Sequence, residues 1–336
     1  MLTVLKSVFA GFLAGSIVLY SDKMTGAAFD GLNLWLYTVI PSLFPFMVIS
    51  SWLSFNTKPH FGTADKITMK LFGIPPVFLI SMLSGYPTGA RIISSLYSKN
   101  SISKDTAEHM LSFCNNPGAV FIISAVSSSI LCDRASAPFF LAICIFSSLL
   151  TGFIYNLLFP CRYKSYMKPL VSAKSGIYDS LSSSVKSILL VGGCIIFFSV
   201  VTEAFMNIIP EDYKAVGGII GGMLEFTRGI SLTAASGYSP KIAYSLIAAI
   251  LCWGGFSVHL QTLAVIGESD INIKKYIVCK AFSSVVAYIT SFILYDISFF
   301  KSSVYPVFSE IYTYHSAFAA ASFLAIFIFF LFREKK

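Results

Sequence analysis

Charged residues are scarce in this chain. They make up 12% of its 336 residues, whereas hydrophobic residues make up 56%. A soluble domain carries about 25% charged residues. Several apolar runs also approach the ~20 residues that a helix needs to cross a bilayer. The composition therefore excludes an ordinary soluble domain and predicts an all-α polytopic membrane protein.

The chain also lacks the common sequence patterns of metal sites and catalytic centres. Its seven cysteines form no CxxC pair, its histidines form no HExxH, and neither a GxSxG elbow nor a Walker phosphate loop occurs. We therefore expect no enzyme activity, no resident cofactor or metal and no disulfide framework. The net charge of +8 does not indicate nucleic-acid binding, because the basic residues lie in short loops, where they orient a membrane protein.

Most of the apolar segments are long enough to span a membrane. We expect eight spanning helices, at Leu2–Tyr20, Gly31–Phe55, Ala107–Leu131, Ala137–Phe159, Ser187–Ile209, Ile242–Ile266, Tyr276–Phe299 and His315–Phe332. The first could instead belong to a signal peptide, but its apolar part is long for that role. Pro41 and Pro45 predict a kink or partial unwinding of the second span.

Two further segments, Leu71–Tyr97 and Ala215–Ala235, consist of short apolar arms around a polar tip. An arm of about 12 residues is too short to cross a bilayer, so each segment is predicted to form a re-entrant hairpin. Two of the spans are themselves broken, at Asn115–Gly118 and at Trp253–Gly255. Exposed backbone at such breaks is tolerated only where protein or a water-filled cavity surrounds it.

The order of these segments repeats along the chain. Each half contains a span, a hairpin, a broken span and an intact span, and local similarity pairs Gly89 with Gly229 and Cys114 with Cys252. The predicted organisation is an N-terminal helix and loop (1–30), a first repeat (31–160), a basic cytoplasmic linker (161–186), a second repeat (187–300) and a C-terminal helix and tail (301–336).

Loop charges predict the topology. With both termini in the cytoplasm and both hairpins re-entrant, 17 of the 24 lysines and arginines fall inside and 5 outside. Lys274, Lys275 and Lys280 are counted together as cytoplasmic. This bias satisfies the positive-inside rule and makes the two repeats inverted. Inverted repeats with broken helices place a substrate site near the middle of the membrane.

The candidate site residues lie at the hairpin tips and helix breaks. A buried arginine costs about 2.5–3.5 kcal/mol on insertion scales. Arg91 and Arg228, one in each hairpin, therefore predict a paired anion site, since guanidinium groups bind carboxylates. The alternative is that Arg228 pairs with Glu225 and that Arg91 reaches the lipid headgroups. The residues predicted to bind substrate are Tyr86, Thr88, Gly89, Arg91, Asn115, Asn116, Thr227, Arg228, Gly229, Trp253, Gly254 and Gly255.

Two polar residues follow the second break. His259 and Gln261 could line the same pathway. The expected role of His259 is a satisfied interhelical hydrogen bond, and the alternative is a coupling proton carrier. For the breaks as a whole, the alternative to a binding role is a structural kink.

Three motifs resemble one known family. SLFPFMVIS, SGYPTGARI and LSFCNNPGAVFIISAV together resemble the sporulation integral membrane protein YlbJ family, over roughly Gly31–Phe299. They also resemble the wider nucleoside-recognition, or Gate, group, which looks related in layout to concentrative nucleoside transporters. The resemblance implies a role in spore formation and transport of dipicolinate across the mother-cell-derived outer forespore membrane.

We therefore expect a membrane transporter of a small organic anion, with dipicolinate as the expected substrate and Na⁺ or H⁺ as candidate coupling ions. Two alternatives stay open: an ion-coupled transporter of a nucleoside or neutral metabolite, and a non-transporting membrane scaffold of a sporulation complex. The expected partners are the anion and the lipid bilayer, without nucleic acid, and a homo-oligomer is compatible with this reading. The expected location is the cell membrane, or the outer forespore membrane for a sporulation member.

Overall fold

Helices form all the regular structure that is described. The computed structural model describes residues 2–56, 63–74, 85–161, 176–210, 216–267 and 269–297, and no strand occurs within these ranges. Five of the described helical stretches are long and apolar enough to cross a membrane: Ser21–Trp52, Arg134–Leu158, Ile177–Met206, Pro240–Ile266 and Lys274–Leu294. This is the architecture of a polytopic membrane protein. The predicted last span, His315–Phe332, lies outside the described residues.

The N-terminal part is nearly continuous helix. α1 (Leu2–Leu19) is followed by α2 (Ser21–Asn33), a π-helical segment π1 (Leu34–Val39) and α3 (Ile40–Asn56). The irregularity predicted around Pro41 and Pro45 occurs as the wide turn of π1. Proline cannot donate a hydrogen bond to the preceding turn, and a wider turn accommodates that loss.

The stretch predicted as the second span begins earlier than the sequence predicts, at Ser21 rather than Gly31. Met24, Ala27 and Gly31 are buried at helical spacing, so this segment has a packing face of its own. A Cβ at Gly31 would lie 2.8 Å from the hydroxyl oxygen of Ser199. The missing side chain therefore allows α2 to approach the helix that carries Ser199 closely.

Short helices fill the middle of the first half. They are α4 (Thr63–Phe72), α5 (Thr88–Ser98), α6 (Lys104–Cys114) and π2 (Phe121–Ile130), followed by α7 (Ala137–Leu158). The predicted broken span is thus two helical pieces, α6 and π2, separated by residues 115–118. Most of the first arm of the first predicted hairpin, residues 75–84, lies outside the described residues.

The long helix α8 (Ile177–Met206) begins ten residues before the predicted start at Ser187. The main-chain N–H of Gly176 donates to the carboxylate of Asp179, which caps the helix. Ser180 and Ser184 are fully buried. The serine-rich stretch that looked like a loop is therefore a small-residue packing face. The preceding basic residues, 162–175, lie outside the described residues.

The second half contains five helices, α9 (Gly217–Leu224), α10 (Phe226–Ala234), α11 (Pro240–Trp253), α12 (Gly255–Ile266) and α13 (Lys274–Leu294). α9 and α10 pack against each other around Glu225, and α13 lies against α11, α7 and α6. A Cβ at Gly229 would lie 2.2 Å from the Cα of Gly222. The two short arms are therefore in backbone contact.

Two carboxylates join the ends of α5, α6 and α13. Glu108 accepts hydrogen bonds from the side chain of Lys275 and the main-chain N–H of Asn272, each at 3.0 Å. Asp270 accepts from the Tyr97 hydroxyl at 2.6 Å and from Lys104 at 2.9 Å. The hydrogen bond from Tyr97 is the main reason that the pKa of Asp270 lies below its ordinary value.

Replacing Gly229 by alanine should destabilise the protein by about 3 kcal/mol, the upper end of the usual range for overpacking, because the new methyl group meets backbone rather than a movable side chain. Thermal unfolding of the purified protein in detergent measures this. Gly193→Ala is the matched control, since a Cβ at Gly193 has no atom within 4 Å. Equal unfolding temperatures for the two variants would contradict the close contact between α9 and α10.

Candidate functional site

The predicted tip of the first hairpin rests on the first helix break. The main-chain N–H of Tyr86 donates to the carbonyl oxygen of Asn116, with an N···O distance of 2.9 Å. A Cβ at Gly85 would lie 2.6 Å from the nitrogen of Gly118, and Gly85 has a φ of +73°. Only glycine fits both the conformation and the contact.

The second tip has the same relation to the second break. Gly255 has a φ of +78°, and a Cβ there would lie 3.0 Å from the carbonyl oxygen of Leu224. The indole N–H of Trp253 donates to the carbonyl oxygen of Met223 at 3.2 Å. The residues predicted at this break, Trp253 to Gly255, therefore hold the end of α9.

The two tips meet each other. The rings of Tyr86 and Phe226 form a T-shaped pair with centroids 5.3 Å apart, and Phe121 packs on Phe226 at 5.2 Å. Tyr86 and Phe226 are corresponding residues when Gly89 is aligned with Gly229. The contact thus lies where the two halves of the chain face each other.

A small cavity adjoins this contact. Its lining includes both tips, the first break and α12, through Tyr86, Gly118, Phe121, Phe226, Thr227 and Gln261. About 10 Å³ is available to the centre of a water molecule, which is roughly the space that one water needs. Gln261, which the sequence suggested as a pathway residue, does line this space.

Several buried polar atoms near the tips and breaks lack hydrogen-bond partners within the described part of the chain. They are the Tyr86 hydroxyl, Thr88 Oγ1, Asn115 Oδ1 and Glu225 Oε1. Buried polar side chains ordinarily have a partner. These four atoms are therefore candidates for contact with a ligand or bound water.

The two asparagines of the first break are held by neighbouring helices. Asn115 Nδ2 donates to the hydroxyls of Thr262, at 2.8 Å, and Tyr276, at 3.1 Å. Asn116 Nδ2 donates to the carbonyl oxygen of Phe113 at 2.6 Å, and Asn116 Oδ1 accepts from Ser148 at 2.8 Å. The structure therefore brings both predicted residues to the centre of a polar network.

Lys280 is a site residue that the sequence analysis missed. It was counted with Lys274 and Lys275 as a loop charge, but only 1% of it is exposed. Its ammonium group donates to Asn115 O and to Asn116 Oδ1, both at 3.2 Å. Helical periodicity could have indicated this, because the buried residues Tyr276, Lys280, Ser283 and Ala287 recur at intervals of three or four.

The two arginines are not brought together, which corrects the expected paired site. Arg91 donates to Ser183 at 3.1 Å, whereas Arg228 pairs with Asp30 at 3.0 Å and with Glu203 at 3.6 Å. Ser183 and Glu203 are 20 residues apart on α8, about 30 Å along the helix axis. One small dicarboxylate cannot contact both arginines in this geometry.

Glu225 is a cap rather than the ion-pair partner of Arg228. Its Oε2 accepts a hydrogen bond from the main-chain N–H of Arg228 at 2.8 Å and another from the Thr227 hydroxyl. The carboxylate is fully buried. The suggested side-chain pairing with Arg228 does not form, because the guanidinium points to Asp30 and Glu203 instead.

His259 does not make the hydrogen bond expected of it. Within the described residues neither ring nitrogen has a partner. Its ring packs edge-on against Trp253, with centroids 4.4 Å apart, and against Tyr276 at 5.3 Å. The remaining predicted residues, Gly89 and Gly229, are buried and act as packing positions in α5 and α10.

Comparison with known proteins identifies a similar sequence. No family model matches the chain, and no solved structure matches it. The chain is 26% identical to the sporulation integral membrane protein YlbJ of Bacillus subtilis (strain 168) over 337 residues, which cover 85% of this chain and 81% of that protein. The chain is therefore similar to YlbJ over most of its length.

This similarity confirms the resemblance that the three sequence motifs indicated. Together with the five long apolar helices, it identifies the chain as an integral membrane protein. The wider likeness to the nucleoside-recognition Gate group stays a prediction.

Replacing Arg228 by glutamine should lower the unfolding temperature, because it removes two ion pairs that join α10 to α2 and α8. Partly exposed ion pairs contribute about 0.2–1 kcal/mol each, and salt should weaken the difference from wild type. Thermal unfolding at low and high salt measures this. Arg91→Gln, which removes one hydrogen bond to Ser183, should change stability less.

The opposite pattern would restore the paired-arginine site. It would consist of unchanged stability in both variants together with loss of dicarboxylate binding in each, measured by calorimetry on the detergent-purified protein.

Proposed function

We propose that this chain is a membrane transporter that binds a small organic anion between its tips and breaks. The observation that carries the proposal is the convergence of Tyr86, Gly118, Phe226 and Thr227, which come from both tips and the first break, on one buried cavity. A scaffold has no need for a central cavity at interrupted helices, whereas a transporter binds its substrate at such a place.

Reciprocal packing supports the proposed inverted repeat. α5, which follows the first tip, packs against α12, the helix after the second break. α10, which follows the second tip, packs against π2, the helix after the first break. Each tip also rests on the break of its own half. We propose that the two halves are structural repeats and that both tips belong to re-entrant hairpins.

The N-termini of several helices lie around the cavity, and they support the proposal that the substrate is an anion. α5 begins directly after Pro87, π2 begins shortly after Gly118, and α10 begins at Phe226. The first turn of a helix presents unpaired N–H groups and partial positive charge, which bind anions. Glu225 already caps α10, so the helix starts of the first half are the proposed anion contacts.

The cavity holds no more than about one water, so substrate entry requires movement. We propose that a tip separates from its break, first on one side of the membrane and then on the other, as alternating access requires. Each interface combines a close glycine contact, at Gly85 or Gly255, with one hydrogen bond to a main-chain carbonyl, so a tip can separate without breaking an ion pair.

The relative carries the word sporulation in its name, and we propose a role in spore formation for this chain as well. Dipicolinate is the proposed substrate and the outer forespore membrane the proposed location. The flat aromatic ring of dipicolinate is complementary to the rings of Tyr86 and Phe226, because aromatic pairs are stabilised by more than the burial of their apolar area. The carboxylates of dipicolinate are complementary to the positively polarised N-termini of the helices around the cavity.

Replacing Thr88 by valine should reduce dipicolinate uptake into proteoliposomes at least tenfold while leaving the unfolding temperature unchanged or higher. The Thr88 hydroxyl is buried without a partner among the described residues, so its removal costs no intramolecular hydrogen bond. Loss of one substrate hydrogen bond to a charged group is worth about 1.5–3 kcal/mol.

Thr233→Val is the matched control, because Thr233 Oγ1 is equally buried and unpartnered within the described chain but lies near the far end of α10. Full uptake by both variants would contradict the proposed site. If no ligand is taken up by the wild type, while changes in 161–186 abolish sporulation, the scaffold function is favoured instead.

A second function is supported by Glu225. Its buried carboxylate, with Oε1 unpartnered in the described structure, could bind a coupling proton or a sugar hydroxyl of a nucleoside. Under that reading Glu225→Gln abolishes uptake of uridine. Under the anion proposal the same variant should take up dipicolinate with a lower KM, because a negative charge next to the site has been removed. Measuring the uptake of uridine and of dipicolinate by wild type and by Glu225→Gln distinguishes the two proposed functions.

A further inference from the structure

Lys280 has an unusual environment for a charged side chain. It is 1% exposed and lies about two turns into α13, a membrane-length helix. Among the described residues no carboxylate lies within ion-pairing distance of it. Its partners are two neutral oxygens, Asn115 O and Asn116 Oδ1. A charged side chain at this depth is costly and usually functional.

The C-terminus of α6 at the first break concentrates oxygen atoms that a cation would stabilise. Asn115 follows the last residue of α6 in an extended conformation, with φ −90° and ψ 90°. The last carbonyl groups of a helix have no intrahelical partner and carry partial negative charge. Side-chain oxygens of Asn115 and Asn116 add to this. In membrane transporters, interrupted helices of this kind coordinate sodium ions or protons with such oxygens.

The second break ends differently and needs no cation. Gly254 takes the left-handed conformation, with φ +84°, and its N–H donates to the carbonyl oxygen of Ile250. This is the ordinary glycine cap of a helix C-terminus, which satisfies carbonyl groups internally. The need for an external positive charge is therefore confined to the first break.

We propose that Lys280 is a tethered cation that fills an ion site at the first helix break, so that this protein requires no bound sodium ion there. Its ammonium group stands where a monovalent cation would contact the break oxygens. The part of this proposal that concerns transport rests on the proposed function. The part that concerns cation binding does not, and can be measured on the isolated protein.

The test compares unfolding temperatures of detergent-purified wild type, Lys280→Ala and Lys274→Ala. Sodium chloride replaces N-methyl-D-glucamine chloride at constant ionic strength, and ethylammonium chloride is the second probe. Wild type should not respond to either small cation. Lys280→Ala should unfold at a lower temperature and recover several degrees, saturably, with sodium or ethylammonium. Lys274→Ala, whose side chain is exposed on the same helix, should not respond.

Two results would overturn the proposal. One is saturable stabilisation of wild type by sodium over N-methyl-D-glucamine, which would place a metal ion at the break besides Lys280. The other is a Lys280→Ala protein as stable as wild type and indifferent to both cations. The wild-type measurement decides the first point even if Lys280→Ala does not fold.

Transport gives an independent readout. Uptake of dipicolinate by wild-type proteoliposomes should be unchanged within twofold when sodium is replaced on both sides by N-methyl-D-glucamine, and a greater loss would contradict the tethered cation. If no uptake occurs under either condition, the proposed function fails, whereas the stability measurement still decides the role of Lys280.

Discussion

An interrupted helix inside a membrane leaves backbone groups that only protein or trapped water can satisfy. At the first break, the N–H of Tyr86, the amide of Asn116 and the ammonium of Lys280 provide the missing donors to Asn116 O, Phe113 O and Asn115 O. These donors come from the tip, the break itself and α13. Satisfying the break therefore brings three distant parts of the chain to one point, and the cavity lies beside it.

The two halves solve this problem with different chemistry. The second break uses left-handed glycines and a close contact with the tip. The halves correspond in the order of their elements and in the Tyr86–Phe226 contact, but not in their cations. Arg228 aligns with Thr88 rather than with Arg91, so the two arginines never occupied equivalent positions.

Local chemistry predicted the interruptions well. Glycine, proline and asparagine at 85–89, 115–118 and 254–255 indicated the tip and the breaks, because these residues disfavour continuous helix. The sequence could not predict which end of α8 each arginine contacts, because that depends on helix packing. It misplaced Lys280 because charge was counted by position along the chain. It missed the first turns of α8 because buried serines resemble loop residues until their packing partners are known.

The backbone contact between Gly222 and Gly229 has a mechanical consequence. Two arms that touch through backbone atoms cannot slide past each other or admit a side chain between them. α9 and α10 therefore move together as one rigid unit, and bending is confined to the two ends of that unit. A small rotation there is therefore transmitted to Phe226, at the edge of the cavity, through a rigid element rather than through a flexible loop.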